Sequence, residues 1–188
     1  MMDRFAETEI LLQDHCLRVR KLLESDGEIL VKWLTDPAVL EFYEGRDQLF
    51  DLERVNRKFF ARGDGVDRCI VEWKNHPIGY VQCYSVEKNK RLHPAFSDQD
   101  IIFGLDQFIG ETAYWNQGIG SMLVGKMAVY LEEIRKADWV ILDPQVTNER
   151  AIRCYEKCGF TKIKLFPAHE MHEGKYRDCW LMARNASS

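Results

Sequence analysis

Long apolar runs are missing from this sequence of 188 residues: no window approaches the roughly 18 consecutive apolar residues that a membrane-crossing helix needs. The first residues, MMDRFAETEI, hold neither a basic start nor an unbroken apolar stretch, and neither end carries a lipidation motif. A cytoplasmic protein is therefore expected. CxxC pairs are absent too. Cys16, Cys69, Cys83, Cys154, Cys158 and Cys179 all fall in apolar or helical stretches, which predicts free buried thiols and no disulfide framework. Only five prolines occur, and no Pro/Gly/Ser-rich linker, low-complexity tract or repeat divides the chain, so residues 1–188 are expected to form one domain. An excess of positive charge is also lacking. Thirty acidic against 26 basic residues leave a net charge of -4, a poor basis for gripping a nucleic-acid backbone. With 46% hydrophobic and 12% aromatic residues there is ample material for a core, which excludes a disordered or fibrous protein.

Periodicity then divides the chain into elements. Leu17 to Leu22 alternates apolar and basic residues like a half-exposed strand, and Ser25-Asp26-Gly27-Glu28 has the spacing of a capping box ahead of a helix through Ile29, Leu30, Trp33 and Leu34. Leu52, Val55, Phe59 and Phe60 predict a second helix over Asp51–Ala61, stopped by Gly63. Cys69–Trp73 and Ile78–Tyr84 read as a hairpin turning at Lys74 to Pro77, and Ile101–Ile109 as a buried strand carrying one carboxylate, Asp106. Ile119, Met122, Leu123, Met127, Tyr130, Leu131 and Ile134 make an apolar helical stripe opening at Gly118 and Gly120. Trp139–Leu142 is a short strand, and Asn148 is a good N-cap for a helix closed by Gly159. Strands at Phe160–Leu165 and Cys179–Ala183 complete the chain. This order predicts an α/β (α+β) fold, a mixed and mostly antiparallel sheet with helices on both faces.

Two features carry chemistry. The loop Trp115-Asn116-Gln117-Gly118-Ile119-Gly120-Ser121 lies between a buried strand and an amphipathic helix, where free backbone N–H groups and the helix dipole converge in a way that suits a diphosphate. The same loop is also compatible with a tight turn that binds nothing. Charge is segregated as well. Residues 92–125 contain no lysine or arginine but hold Asp98, Asp100, Asp106 and Glu111, whereas Arg150, Arg153, Lys157, Lys162 and Lys164 crowd a single acid, Glu156. An anionic cofactor and a cationic acceptor would use this asymmetry, although solvated surface charge would give the same pattern.

The glycine loop and the later run Asn148, Ala151, Tyr155, Gly159 and Phe160, with its N-x-x-A-x-x-x-Y-x-x-x-G-F spacing, resemble the GNAT superfamily of acetyl-CoA-dependent N-acetyltransferases. Gly104 to Glu111, Asp143-Pro144, Arg150 to Phe160 and the tail His169 to Lys175 through Asp178-Cys179 are similar to aminoglycoside 6'-N-acetyltransferases. They are most similar to the acetyltransferase half of bifunctional acetyltransferase/phosphotransferase resistance enzymes, and 188 residues leave no room for the phosphotransferase half. The resemblance implies the GNAT fold and direct acetyl transfer from acetyl-CoA to the 6'-amine of a cationic aminoglycoside, which would confer antibiotic resistance. It places Asp106 as base or amine-positioning group, since an ammonium must lose a proton before it can attack a thioester, and Tyr155 as hydrogen-bond donor to the leaving sulfur. Phe108, Ile109, Gln117, Gly118, Ile119, Gly120, Ser121, Asn148, Ala151 and Lys157 would bind the cofactor. Tyr43, Glu44, Asp143, Asp100 and Glu170 are the candidates for binding the acceptor, with Asp98, Glu173 and Asp178 behind them. Two positions depart from the superfamily pattern Q/R-x-x-G-x-G/A: Trp115 stands at the Gln/Arg place and Asn116 where glycine is frequent.

Taken without the resemblance, Asp106 could be a carboxylate tied to a backbone or arginine partner, and Tyr155 a packed core ring. No metal is expected: His169 and His172 are three apart, not the four of HExxH, and Pro167 predicts a loop there. A monomer or homodimer is expected. The rival readings are a GNAT enzyme acting on a polyamine, a siderophore precursor or a protein N-terminus, and a non-catalytic acyl-CoA-binding sensor.

Overall fold

The computed structural model describes residues 8–60, 63–87 and 93–187. Its sheet has eight strands: β1 Ile10–Asp14, β2 Leu17–Lys21, β3 Val66–Trp73, β4 His76–Ser85, β5 Ile102–Ile109, β6 Trp139–Leu142, β7 Thr161–His172 and β8 Lys175–Asn185. They lie in the order β1-β2-β3-β4-β5-β6-β8-β7, and every neighbouring pair is antiparallel except β5 with β6. Among the described residues five α-helices cover the two faces, α1 Gly27–Trp33, α2 Pro37–Leu40, α3 Leu52–Phe59, α4 Ile119–Glu133 and α5 Glu149–Lys157.

Both faces are buried, so the central strands read as nearly continuous apolar runs. Val81 and Leu105 pack under Leu123, Val124, Met127 and Leu131 of α4 and Ile152 of α5. The alternate residues Tyr80 and Phe108 point to the other side, against Leu30 and Trp33 of α1, Val39 and Leu40 of α2, and Val55 and Phe59 of α3. α5 starts where expected, with the Asn148 side chain accepting from the Ala151 N–H at 3.2 Å. α4 starts after Gly118, whose φ of +79° is left-handed and costs glycine little.

The structure departs from the sequence reading in several places. Ile10–Asp14 adds an N-terminal strand, and Asp36, accepting from the Ala38 N–H, caps a short extra helix at Pro37. Ser25 caps nothing. Asp26 accepts the Leu23 N–H and is itself held by Arg20 through two contacts of 2.8 Å, while Arg20 Nε also reaches Glu72 at 2.7 Å, so a buried ion network sets the entrance to α1. The β3–β4 turn is tighter than expected, with Lys74 and Asn75 both left-handed and His76 already paired with Trp73. Residues 169–172 are strand and not loop: Pro167 is absorbed by a bulge between Phe166 and Glu170, in which the Asp178 carboxylate accepts the Ala168 N–H at 2.8 Å. α3 ends at Phe59, and Ala61 lies outside the described residues. The cysteines are free, but Cys16, Cys154 and Cys158 are only partly buried.

Candidate active site

β5 and β6 pair only from Ile102 to Gly104 against Trp139 to Ile141, while β5 runs on to Ile109 beside β4. Beyond Gly104 the two parallel strands diverge, since β6 ends at Leu142 and Asp143-Pro144 leads away to α5. Leu105–Ile109 therefore has a strand along one edge only. A cleft of about 730 Å³ opens in this gap and is continued by the start of α4, the face of α5, the segment after α2 and the bulged part of β7. The divergence also lets side chains from opposite faces of the sheet reach one cavity.

One end of the cleft gathers acids. Asp106 sits opposite Gln82 on β4, and Gln82 Nε2 donates to Asp106 Oδ2 at 2.8 Å. Tyr84, two residues along β4, stands beside the same carboxylate. Burial raises the Asp106 pKa to about 6 against the pull of the Gln82 hydrogen bond, with neighbouring Asp143 adding to the rise and Tyr84 and Lys58 opposing it. Asp143, just past β6, is also raised, first by the cleft walls around it, although solvent still reaches 51% of its side chain. Its Oδ2 lies 3.4 Å from Nε2 of His169, whose ring stacks on Phe166. Glu170 accepts from the buried Gln145 at 3.2 Å. Across the cleft Glu44 pairs with Lys58, and the Tyr43 ring lies 4.6 Å from that of Phe108.

The other end is built of backbone and cations. The first-turn amides of α4, at Ile119, Gly120 and Ser121, have no acceptor inside the helix. A Cβ on Gly120 would meet only Cys154 Sγ, at 4.0 Å, so nothing in the protein itself obstructs that surface. Arg150, Arg153 and Lys157 on α5 line the same region. The Arg150 guanidinium lies 4.0 Å over Trp115 and 5.4 Å from Phe42, and Trp115 Nε1 donates to the Ile109 carbonyl at 2.8 Å. Trp115 thus braces the loop against the open edge of β5. Ser121 Oγ donates to the Cys154 sulfur at 3.3 Å while Cys158 Sγ donates to the Ser121 carbonyl at 3.2 Å, and the Cys154 pKa is lowered to about 7, first by neighbouring Cys158, then by Ser121 and the cations Lys157 and Arg150. Between the two ends, Gln107 Nε2 donates to the Tyr155 hydroxyl at 2.7 Å, and burial holds the phenol well above its usual range, hence protonated.

The cleft brings together most of the residues singled out in the sequence: Asp106, Tyr155, Phe108, Ile109, Gly118, Gly120, Ser121, Asn148, Ala151, Lys157, Tyr43, Glu44, Asp143 and Glu170. Three are not brought to its wall. Asp100 accepts from the Ser97 N–H and from Trp139 Nε1 at the opposite end of β5, as a turn-closing carboxylate. Gln117 turns back to the Ala113 carbonyl, and the Ile119 side chain is core, leaving only backbone to offer. Among the weaker acceptor candidates, Asp178 holds the β7 bulge and Glu173 is bound to Arg46. Gln82, Gln107 and Lys58 line the cleft without having been picked out, and His169, weighed in the sequence only as a metal ligand, lines it beside Asp143. Gln82 carried one usable signal, since a lone amide in an apolar strand one hairpin away from Asp106 is its natural cross-strand partner.

Open strand edge, free first-turn amides, an unobstructed glycine and flanking cations together fit the pantetheine arm and diphosphate of acetyl-CoA. Among the described residues no group of three or more His, Cys, Asp or Glu side chains is placed to hold a metal, and no helix is long and apolar enough to cross a membrane. Aminoglycoside N(6')-acetyltransferase type 1 of Klebsiella pneumoniae is 27% identical over 147 residues, 77% of this chain and 73% of that one. The crystal structure of aminoglycoside acetyltransferase AAC(6')-Ib with coenzyme A and kanamycin superposes with a TM-score of 0.74 at 23% identity, covering 90% of this chain and 94% of that one. Spermidine N-acetyltransferase from Vibrio cholerae, in complex with CoA and spermine, gives 0.72 at 18%, covering 93% and 98%. At these identities the two structures share the fold and no more. Residues 22–167 match the acetyltransferase (GNAT) domain family, and the chain belongs to it, as an acetyl-CoA-dependent N-acetyltransferase.

Proposed function

We propose that this enzyme acetylates the 6'-amine of an aminoglycoside, with antibiotic resistance as the consequence. The observation that carries the reading is the convergence of Asp106, Asp143, Glu170 and Glu44 on one end of the cleft, where the lining cation is Lys58, already paired with Glu44. An acceptor with several ammonium groups meets a carboxylate for each. Sequence similarity to the Klebsiella pneumoniae enzyme supports the same acceptor class.

In this mechanism Asp106 takes the proton of the incoming ammonium, which frees its nitrogen lone pair to add to the thioester carbonyl. Acetyl-CoA supplies the acetyl group and the leaving thiolate. Tyr155 donates a hydrogen bond to the departing sulfur, and the acids around the acceptor keep its remaining ammonium groups in place. A base whose pKa is about 6 is ionised at neutral pH and still basic enough to assist. Because the ionised form is the active one, kcat/KM should rise with pH through a midpoint near 6 and then level, which a pH series with saturating acetyl-CoA reads directly. Tyr155→Phe should lower kcat only about tenfold, because a thiol of pKa ~8.5 is a good leaving group without full proton transfer. Abolished turnover in that variant would mean that the hydroxyl does more than assist.

The acceptor is tested by following CoA release with kanamycin, with spermidine and with no acceptor. Turnover with kanamycin and not with spermidine supports the reading. Turnover with spermidine alone moves the enzyme to polyamines, the substrate class of the second structural neighbour. CoA binding without turnover would leave a sensor.

A further inference from the structure

Asp106 is the end of a chain of hydrogen bonds that starts in the core. The Tyr80 ring is buried between the edge of Phe59, with centroids 5.1 Å apart, and the stacked Phe108 at 5.6 Å. Its hydroxyl donates to Gln82 Oε1 at 2.7 Å, and Gln82 Nε2 donates to Asp106 Oδ2 at 2.8 Å. A carboxamide can usually be turned end for end with little consequence, but here both ends are read. With the amide reversed, its oxygen would face the ionised carboxylate, two acceptors in contact, and the Tyr80 hydroxyl would lose the acceptor for its proton.

We propose that Gln82 and Tyr80 are positioning residues which present an N–H to Asp106 and so favour its ionised form in a buried setting. The inference rests on the reading of Asp106 as the base. Asp106 must be screened enough from water to bind an ammonium tightly, and burial alone would leave it protonated over much of the physiological range. The relay supplies the largest part of the opposing bias, ahead of Tyr84 and Lys58. It does so without a cation, which would compete with the acceptor for the same carboxylate. Lys58 on α3 is turned to Glu44 and does not replace it. The other titratable groups near Asp106 are Tyr80 and Tyr84 on β4, Tyr43 after α2, Asp143 after β6 with His169 of β7 beside it, and Tyr155 on α5. Except for the Tyr80 hydroxyl, all of them stay unchanged in the variants below.

The test follows the Asp106 carboxyl itself, by ¹³C NMR of protein labelled at aspartate Cγ, with Asp106→Asn used to assign the resonance. Gln82→Met keeps the length of the side chain and removes the donor. It should move the midpoint up by about one pH unit, the size expected for a hydrogen bond to a charged group. Tyr80→Phe keeps the ring stack and frees the amide to turn, so its midpoint should move the same way by less. The double variant should match Gln82→Met alone, because Tyr80 acts only through Gln82. An unmoved midpoint in Gln82→Met, or additive shifts in the double variant, overturns the relay. Should Gln82→Met fail to fold, Tyr80→Phe alone decides by the presence or absence of its shift. Since the titration needs no acceptor, the two readings fail separately: wild-type turnover in Asp106→Asn removes the base, whereas an inactive Asp106→Asn with an unmoved Gln82→Met midpoint removes only the relay.

Discussion

Asp106→Asn should lose between about a hundredfold and ten-thousandfold of turnover, the usual contribution of a positioned general base, while folding at least as stably as the wild type. The two halves of that expectation come from one physical fact. A carboxyl with its folded-state pKa raised to about 6, against ~3.9 in the unfolded chain, is penalised by folding whenever it is ionised. The penalty is absent below pH ~4, grows as pH rises towards 6 and is complete above, where two pH units correspond to about 2–3 kcal/mol. Asparagine has nearly the same shape, can still accept the Gln82 N–H through its oxygen, and carries no charge to bury. Chemical unfolding at pH 8 should show the gain, and at pH 4 it should vanish. Turnover moves the other way, because the amide cannot take a proton. The residual rate should then climb steadily with pH as free amine accumulates, instead of levelling above pH 6. A variant that unfolds more easily and loses activity in proportion would make Asp106 a structural carboxylate.

Why Asp106 could be singled out at all, while the place of His169 beside Asp143 could not, shows where the sequence stops being legible. A charge inside an apolar strand is conspicuous because its burial is costly, and the strand's periodicity places it without any knowledge of the fold. The glycine loop and the Asn148 cap are similarly local. His169 depends on long-range geometry: it reaches Asp143 from inside the Phe166–Glu170 bulge, held by Asp178, where β7 spends four residue steps against two on β8. Nothing near residue 169 in the sequence announces that bulge, and Pro167 argues for a loop. Asp100 was misleading for the same reason. Its place beside a buried strand suggested the site, yet it lies at the far end of that strand and closes a turn. The capping box at Ser25 failed because Arg20, five residues earlier, claims Asp26 and carries it into a buried ion network. Charge segregation held only in part: of the acidic stretch only Asp106 lines the cleft, while Asp100 closes a turn and Glu111 pairs with Lys32, and of the basic run Arg150, Arg153 and Lys157 line it.

The cofactor end permits a prediction of equal size from a residue that has no side chain. Gly120 is the second residue of α4, and a Cβ there has only Cys154 Sγ at 4.0 Å to meet. Its backbone is helical, so no left-handed strain enters. Packing therefore gives no reason for glycine at this position, and helix propensity argues against it. Gly120→Asp should accordingly keep or raise the melting temperature, since a carboxylate in the first turn favours the helix dipole. Binding should respond oppositely. The new carboxylate would stand among the amides assigned to the diphosphate, repel it and cover at least two of its N–H donors. Charge-assisted hydrogen bonds contribute about 1.5–3 kcal/mol each, and 1.4 kcal/mol is tenfold in affinity, so calorimetric CoA affinity should fall by at least about a hundredfold. Gly120→Ala separates charge from bulk. With a methyl group alone the loss should be smaller and nearly independent of salt, whereas the aspartate effect should shrink as ionic strength rises. If Gly120→Asp bound CoA normally, the diphosphate would have to lie elsewhere, and the basic face of α5 at Arg150, Arg153 and Lys157 would be the place to look.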